Sequence, residues 1–505
     1  MKDYKILLKG AGLTIIGLAL SKLFFYAINI IVARIGSTEL GLLNLGFSIV
    51  SFVAMIALLG LNGGLIRYIS YYLGKKDKRK IKGVILDAIR IPSIIGIISF
   101  VLILIFADKI AILFNKPELT KIIFVFSFTI PFLILIEIFA SIFASFKKIQ
   151  YNVFIRDIFD KFMRLVLVII FITLGFGLMG IVYAYTIAII LTAFLLVYFS
   201  RKKEFILFNK KVKAVFSTKE LLVYSFPLTL SSLLTLLQKW TDIFILGYYK
   251  TASEVGIYNI SFSTAALLSV IPTALMSLFI PVISNLYAQN KLKEIKAINT
   301  TVMKWIFIIN LFFTSILIIF GKELVRIVFG LEYTQGYTAL VILAISYLML
   351  SLTHVYSNNL LTIKKTKLVS LLVFISTFIV ILLNFLLVPK YGINGAAIAT
   401  ITATFVFLVL IIISSYVIMR LQPINKIFIK SLIAGILTIV LFIYLYKILS
   451  INFLILVILI LLTFIFYLIL LILFKCFSKD DISLIKDIKN KLYGKLKNFN
   501  LFSNE

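Results

Sequence analysis

Residues 37–48 read STELGLLNLGFS, and residues 252–263 read ASEVGIYNISFS. Five residue types recur in register 215 positions apart: Glu39, Gly41, Asn44, Phe47 and Ser48, then Glu254, Gly256, Asn259, Phe262 and Ser263. A second pair of stretches, GFGLMG at 175–180 and KYGING at 390–395, aligns its glycines at the same spacing. A constant offset across most of each half indicates an internal structural repeat.

The composition points to a membrane protein. Hydrophobic residues make up 62% of the 505 residues and charged residues only 14%, well below the roughly 25% of soluble domains. The mean hydropathy is +1.14. Apolar runs of ~20 residues, each long enough to cross a bilayer, follow one another along the chain. The sequence therefore predicts an all-α polytopic membrane protein.

We count fourteen apolar segments, of which twelve form two repeats of six helices. Because six is even, both repeats have the same orientation and are related by an axis along the membrane normal. Two segments, at 40–73 and 254–288, are longer than one crossing needs and should tilt or project. The predicted units are an N-terminal six-helix lobe (1–205), a cytoplasmic linker (206–220), a C-terminal six-helix lobe (221–420), helices 13 and 14 (421–475) and a basic cytoplasmic tail (476–505).

The basic residues mark one side of the membrane. Alternate loops are rich in Lys and Arg, as in KKDKRKIK at 75–82, RKKEFILFNKKVK at 201–213 and KKTK at 364–367. The positive-inside rule then places these loops and both termini in the cytoplasm of a cell-membrane protein. The net charge of +31 is explained by topology rather than by nucleic-acid binding.

Few residues are available for catalysis or metal binding. The chain has one cysteine, Cys476, and one histidine, His354, so a disulfide or a His/Cys metal cluster is not expected. We predict neither an enzyme nor a cofactor. The N-terminal MKDYKILLKGAG runs directly into an apolar segment without an obvious cleavage site, so we expect it to be the retained first helix.

The two opening stretches are predicted to be equivalent outside turns, each leading to the second helix of its lobe. Glycines there are expected at helix entries or C-caps, where a residue without Cβ adopts positive φ.

Several longer stretches resemble a known family. They are YSFPLTLSSLL (224–234), DIFILGYY (242–249), EVGIYNISF (254–262), IPTALMSLFIPVISNLY (271–287) and LNFLLVPKYGINGAAIAT (383–400). Together they are similar to the polysaccharide biosynthesis flippases of the O-antigen (Wzx) type, in the superfamily that also holds lipid II flippases and multidrug and toxin extrusion transporters.

The resemblance implies two six-helix lobes around a central cavity that works by alternating access. It also implies an undecaprenyl- or dolichyl-linked oligosaccharide as the substrate. Membrane lipids, and glycan polymerase or ligase components, are the partners to expect, and the protein is expected to be a monomer.

Charged residues inside apolar segments are candidates for the transport site, because a charge at mid-bilayer costs at least ~3 kcal/mol. Lys22 and Lys239 lie mid-segment in the two repeats, and Arg67 lies near the end of the second segment. All three are predicted to bind a pyrophosphate in the cavity. Arg67 has snorkelling as its alternative, and Lys239 has neutralisation by Asp242, three residues on.

Two acidic features remain open. Glu137 and Asp242 are candidates for ion coupling or for pairing with a cavity cation, and Glu137 could also be protonated in apolar surroundings. The mixed-charge stretch RDIFDKFMR at 156–164 is predicted at the cytoplasmic start of the fifth segment, either as a salt-bridged gate or as an interfacial anchor.

Three functions are compatible with these features besides the expected flippase of lipid-linked oligosaccharides. They are a cation-coupled multidrug exporter of the same superfamily, a lipid II-type flippase and a membrane glycan polymerase. Multidrug exporters use acidic residues to bind cationic drugs, whereas the candidate interior charges here are mainly basic. A polymerase would need large outer loops with clustered acids, bases or metal ligands.

Overall fold

The structure is a computed structural model that describes residues 2–202, 211–289, 291–420, 426–449 and 452–477. Part of the predicted linker, residues 203–210, and most of the predicted tail, from residue 478, lie outside the described residues. Within the described ranges the chain is helical throughout.

The first six membrane segments, called the N lobe, are α1 to α6. Their bounds are α1 Lys2–Ala33, α2 Ser37–Ala57 with Leu61–Gly74, α3 Lys78–Leu113, α4 Leu119–Ser127 with Ile130–Ser145, α5 Ile149–Tyr151 with Asn152–Phe159 and Asp160–Thr173, and α6 Gly177–Lys202.

The next six segments, called the C lobe, are α7 to α12, and α13 and α14 follow. Their bounds are α7 Thr218–Tyr249, α8 Ala252–Ala265 with Ala266–Ser269 and Val270–Ala288, α9 Leu292–Val328, α10 Tyr337–Thr362, α11 and α12 within Thr366–Met419, α13 Lys426–Ile448 and α14 Phe453–Leu473. A short 3-10 helix, Leu331–Gly336, joins α9 to α10.

The described part of the chain holds fourteen candidate crossings. Ten helices are each long and apolar enough to span a bilayer, and the bent pair of α4 makes eleven. The 54-residue helix Thr366–Met419 has non-helical dihedrals at Gly392 and is long enough for two crossings of ~20 residues. The segments α1 and α5 complete the set.

The two segments that the sequence predicted to be overlong are instead broken. In α2, Gly60 interrupts the helix with φ +63°, and in α8 the helix tightens to 3-10 geometry at Ala266–Ser269. The regular α-helix is therefore interrupted once within each of the two long segments.

Matching backbone irregularities relate the two lobes. Gly177 at the start of α6 has φ +54°, and Gly392 between α11 and α12 has φ +53°. Lys147 after α4 and Lys364 after α10 have φ of +57° and +63°. Gly177 and Gly392 therefore have the positive φ expected of glycines at the repeated turns, whereas Gly41 and Gly256 of the opening stretches do not.

The prediction that the opening stretches are turns is wrong. Ser37–Ala57 and Ala252–Ala265 are helical from their first residue, and the two helices cross with almost touching backbones. A Cβ on Gly41 would lie 1.7 Å from the Ala252 carbonyl oxygen, and one on Gly256 would lie 2.0 Å from that of Ser37. These two repeated glycines allow the N and C lobes to pack directly on each other.

The remaining two helices cover the C lobe. Both α13 and α14 pack on α9, where the Tyr467 hydroxyl donates to the Ile308 carbonyl at 3.1 Å and a Cβ on Gly435 would meet the side chain of Leu311. They therefore extend the C lobe without entering the contact between the lobes.

The two ends of the bundle differ in charge. One end, the basic end, carries the loops at 75–77, 146–148 and 363–365, together with residues 289 and 291. The opposite end, the latch end, carries the connections after α1, α3, α7 and α9.

The glycine crossing can be tested by cysteine cross-linking. The Ser37 and Ser253 hydroxyl oxygens lie 2.6 Å apart across the lobes, so Ser37→Cys and Ser253→Cys in a Cys476→Ala background should form a disulfide readily. Adding Gly41→Ala should slow that reaction, because overpacking costs about 1–3 kcal/mol. The rate is measured by electrophoretic mobility after mild oxidation.

The matched control is Gly74→Ala, because a Cβ on Gly74 meets nothing within 4 Å. It should leave the cross-linking rate unchanged. Equal rates for Gly41→Ala and Gly74→Ala would show that the glycine crossing does not hold the lobes together.

Candidate functional site

A central cavity of about 320 Å³ lies between the two lobes. It is lined from α1, α2, α5 and α6 of the N lobe and from α7 and α8 of the C lobe. Four of the described lining residues carry a positive charge: Lys22, Lys161, Arg164 and Lys239. The same lining contains no carboxylate.

The structure brings together Lys22 and Lys239. Both line the central cavity, and within the described part of the chain neither forms an ion pair. The Lys239 amine lies 4.7 Å from the centre of the Trp240 ring. This cation–π contact stabilises the ammonium charge in place of an ion pair. Asp242 does not neutralise Lys239, because its carboxylate is occupied elsewhere.

A buried ion network holds the other two cations. The Asp160 carboxylate accepts from Lys161 Nζ at 2.7 Å and from Arg164 Nη2 at 3.0 Å. Thr192 donates to the same carboxylate at 3.4 Å. The Arg164 guanidinium lies 4.8 Å from the centre of the Tyr185 ring. One carboxylate thus faces two cations, and the cavity keeps a net positive charge.

The sequence analysis missed Lys161 and Arg164 as cavity residues. The sequence predicted the stretch 156–164 at the cytoplasmic start of the fifth segment, as a salt-bridged gate or an interfacial anchor. The stretch does contain salt bridges, and two of its cations also line the central cavity. Residues Asn152–Phe159 form a π-helix, which adds residues to each turn and changes which side chains face the bundle interior. The available signal was the Asp160–Arg164 pair at i, i+4 spacing.

Arg67 lies outside the central cavity, so the prediction that it is a cavity cation is wrong. Its side chain is exposed, and its guanidinium lies 4.0 Å from the centre of the Tyr224 ring. Arg67 sits in the second helix of α2, where it joins α2 to α7 toward the basic end.

The two acidic candidates have different surroundings. Glu137 of α4 is paired with Arg156 of α5, with Oε1 and Nη2 2.5 Å apart, and 24% of its side chain is exposed. Asp242 of α7 is buried, and three neutral groups donate to its carboxylate at 2.5–2.8 Å: Tyr258, Asn384 and Thr400. Of the two, Asp242 is the carboxylate without an ion-pair partner.

The repeated motif contributes directly to this site. Its Asn and Phe positions line the central cavity from both lobes, as Asn44, Phe47, Asn259 and Phe262. In the second copy, Glu254 caps α8 by accepting from the Thr251 amide at 3.1 Å. The motif therefore fixes a helix start, permits the close crossing and lines the cavity within three helical turns.

Hydrogen bonds between the lobes hold the latch end together. Lys116, after α3, donates to the Gly247 and Lys250 carbonyls at the end of α7, at 2.5 and 2.8 Å. In the reciprocal contact, Tyr333, after α9, donates to the Ala33 carbonyl at the end of α1, at 3.1 Å.

One more cation, Arg34, reinforces the latch end. Arg34 donates to the Ile327 carbonyl at 2.7 Å and to the Val328 carbonyl at 3.1 Å. Cations suit these positions, since helix C-termini carry partial negative charge and unpaired carbonyls. Burial lowers the pKa of the Lys116 amine, while Glu118 and Glu254 oppose this shift.

Removing the Lys116 amine should loosen the latch end. We expect Lys116→Met to raise the labelling rate of a cysteine at position 37 in a Cys476→Ala background. The loss of a charged hydrogen bond to each carbonyl costs roughly 1.5–3 kcal/mol. The rate is measured with a membrane-impermeant maleimide.

Lys121→Met is the matched control, because Lys121 lies in the first turn of α4, five residues after Lys116, and is exposed. This variant should label at the wild-type rate. A Lys116→Met protein that labels no faster than the control would exclude Lys116 as a contact that keeps the lobes together.

The comparisons with known families are consistent with this architecture. The model of the family described as polysaccharide biosynthesis protein matches residues 7–287, and the MatE family model matches residues 227–386.

Two curated relatives are similar to the chain. The "Probable low-salt glycan biosynthesis flippase Agl15" of Haloferax volcanii is 28% identical over 186 residues, 36% of this chain and 39% of that relative. An "Uncharacterized membrane protein" of Methanocaldococcus jannaschii is 24% identical over 453 residues, 86% of this chain and 88% of that relative. The match to Agl15 thus spans well under half of its length.

Solved structures share the fold. "Lipid II flippase MurJ, inward closed conformation" has a TM-score of 0.70 at 18% identity and covers 90% of this chain and 98% of its own. An "Inward-facing conformation of a multidrug resistance MATE family transporter of the MOP superfamily" has a TM-score of 0.66 at 18% identity, over 79% and 94%.

These similarities confirm the predicted all-α polytopic membrane fold. Because the first family model matches more than half of the chain, the protein belongs to the polysaccharide biosynthesis protein family.

Proposed function

We propose that this protein is a flippase that moves a polyprenyl-diphosphate-linked oligosaccharide across the membrane. The observation that carries the proposal is the central cavity, whose described lining has four cationic side chains and no carboxylate. Only Lys161 and Arg164 have a counter-charge, Asp160, which lies outside that lining. Unpaired charges inside a membrane protein are costly to maintain. A diphosphate supplies the missing negative charge.

The cations of the central cavity differ in how they can bind the two phosphates of a diphosphate. The Arg164 guanidinium is planar and can donate two parallel hydrogen bonds to phosphate oxygens, whereas Lys22, Lys161 and Lys239 act as compact charges around it. Three of the four come from the N lobe and one from the C lobe, so a bound diphosphate contacts both lobes at once.

The proposed direction of transport follows from the loops. If the basic end faces the cytoplasm, as the positive-inside rule predicts, the latch end faces outward and the cavity is filled from the cytoplasmic side. Release then requires the contacts of Lys116, Arg34 and Tyr333 to break while the basic end closes. This is alternating access between two lobes.

Coupling to an ion is proposed at Asp242 rather than at Glu137. Asp242 is buried and accepts hydrogen bonds only from neutral groups, whereas Glu137 already has Arg156 as its counter-charge. The Asn384 side-chain oxygen is buried next to it without a hydrogen-bond partner among the described residues. A proton or Na⁺ at Asp242 would neutralise the buried carboxylate and could give the Asn384 oxygen a partner.

The alternatives remain proposals of lower rank. Lipid II-type substrates carry the same diphosphate and differ only in their sugars and peptide. A multidrug exporter for cationic compounds is disfavoured because its substrates would be repelled by the cavity lysines. We expect the protein to be a monomer without catalytic activity that works with glycan polymerase or ligase components.

Neutralising the cavity lysines tests the flippase proposal. Lys22→Gln and Lys239→Gln should each slow the flipping of fluorescent undecaprenyl-diphosphate-linked glycan in proteoliposomes by roughly tenfold or more, because charged hydrogen bonds contribute about 1.5–3 kcal/mol. Leaflet exchange is followed by dithionite quenching.

Lys109→Gln serves as the matched control, since Lys109 is exposed on α3 outside the central cavity, and it should flip the lipid at the wild-type rate. Wild-type flipping by the double variant Lys22→Gln/Lys239→Gln would refute the cationic headgroup site. Export of ethidium by the wild-type protein at a rate comparable to its flipping of the lipid would favour the multidrug alternative.

The coupling site has its own test. Asp242→Asn keeps the hydrogen-bonding shape but removes the charge, so flipping should lose its dependence on a Na⁺ or proton gradient while the lipid still binds. Asp108→Asn, at an exposed site of α3, should keep the dependence. Gradient-driven flipping by Asp242→Asn would exclude Asp242 as the coupling residue.

A further inference from the structure

A second cavity of about 230 Å³ lies inside the C lobe, between α7, α8, α10, α11 and α12. Six of its thirteen described lining residues are uncharged, non-aromatic and carry a hydroxyl or an amide: Thr235, Gln238, Ser346, Ser376, Thr400 and Thr404. Three aromatic rings complete the lining, those of Phe262, Tyr347 and Phe407. We call this space the C-lobe cavity.

The C-lobe cavity adjoins the central cavity. Lys239 and Phe262 line both spaces, and Lys239 is the only charged residue among the described lining of the C-lobe cavity. A ligand that places an anionic group at Lys239 can therefore extend its adjacent neutral part into the C lobe.

The polar groups of the C-lobe cavity are oriented in pairs. Gln238 Nε2 donates to Ser376 Oγ at 3.2 Å, and Ser346 Oγ donates to Thr404 Oγ1 at 3.0 Å. These bonds orient the side chains but leave some of their hydrogen-bond donors and acceptors free for a ligand. The Gln238 amide keeps a carbonyl oxygen and a second N–H, and the Ser346 oxygen keeps its acceptor lone pairs.

The Tyr347 hydroxyl adds a donor. It has no hydrogen-bond partner among the described residues, although its ring is packed against that of Phe262 with centroids 5.9 Å apart. The cavity thus offers both donors and acceptors beside aromatic faces, which matches a molecule with several hydroxyl groups and an apolar ring face.

Size and polarity narrow the choice of occupant. The volume equals the bulk share of about eight water molecules, which fits one sugar ring rather than a longer glycan. An isoprenoid chain is disfavoured because it would leave the hydroxyl and amide groups without partners. A second phosphate is disfavoured because Lys239 already contacts the central cavity.

We propose that the C-lobe cavity is a specificity subsite that binds the first sugar of the transported lipid, a neutral hexose next to the diphosphate. The inference rests on the proposed flippase function and adds the orientation of the substrate. The diphosphate lies among the N-lobe cations and Lys239, and the first sugar points into the C lobe. Gln238 and Tyr347 recognise its hydroxyl groups.

Tryptophan fluorescence provides the test. The chain has two tryptophans, and Trp240 lines the central cavity, so the Trp305→Phe background leaves one reporter at the site. The purified full-length protein in nanodiscs is titrated with undecaprenyl diphosphate, and separately with the same lipid carrying a single glucose.

We expect the glucose-bearing lipid to bind roughly 5- to 10-fold more tightly than bare undecaprenyl diphosphate, because one or two added hydrogen bonds increase affinity by about this factor. Gln238→Leu and Tyr347→Phe should each reduce that preference while leaving the affinity for bare undecaprenyl diphosphate unchanged. Gln289→Leu, the same exchange at an exposed amide at the end of α8, should preserve it.

Two results would overturn the subsite. One is equal affinity for the two lipids in the Trp305→Phe background, and the other is a loss of affinity for both lipids in Gln238→Leu and in Tyr347→Phe. Binding of bare undecaprenyl diphosphate without a sugar preference would remove this inference and leave the flippase proposal standing. Failure to bind either lipid would remove both.

Discussion

The proposed transport site depends on positive charge in the central cavity that the described carboxylates do not fully neutralise. Lys22, Lys161, Arg164 and Lys239 line one cavity, and the carboxylate paired with two of them, Asp160, lies outside its lining. Buried charges cost less free energy when each has a counter-charge. An anionic ligand in the cavity is therefore favoured over an empty cavity. The repulsion among these cations is the force that a bound diphosphate would relieve, and its relief is what would draw the two lobes around the substrate.

Besides the side-chain hydrogen bonds of Lys116, Arg34 and Tyr333, a direct contact between two helix backbones closes the latch end. Gly41 and Gly256 let two helices meet backbone to backbone, while Asn44 and Asn259, less than one turn further along, line the cavity. Because the crossing and the lining belong to the same rigid helices, a movement that separates the glycines also moves the cavity walls. In the proposed transport cycle, binding and opening would therefore be linked directly through α2 and α8.

Much of the fold could be predicted from the sequence, because apolar length, alternating basic loops and a constant repeat offset report directly on membrane crossings. Lys22 and Lys239 could be placed for the same reason, since each stands alone in an apolar run. The roles of Lys161 and Arg164 could not, because a π-helix before Asp160 alters the helical phase. Arg67 was misplaced because the break at Gly60 turns the following helix toward α7.

The two lobes share an outline but have diverged in the chemistry of their interiors. The N lobe supplies three cavity cations and the paired Asp160, whereas the C lobe supplies hydroxyl and amide groups together with Asp242, which accepts only neutral donors. Thr400 lines the C-lobe cavity and donates to Asp242, so the proposed sugar subsite and the proposed coupling site share a wall. A cation that arrives at Asp242 would compete for the Thr400 hydroxyl and change the cavity beside it. Substrate headgroup and coupling ion would then act on opposite lobes, and Lys239 on α7, three residues from Asp242, is where their effects meet.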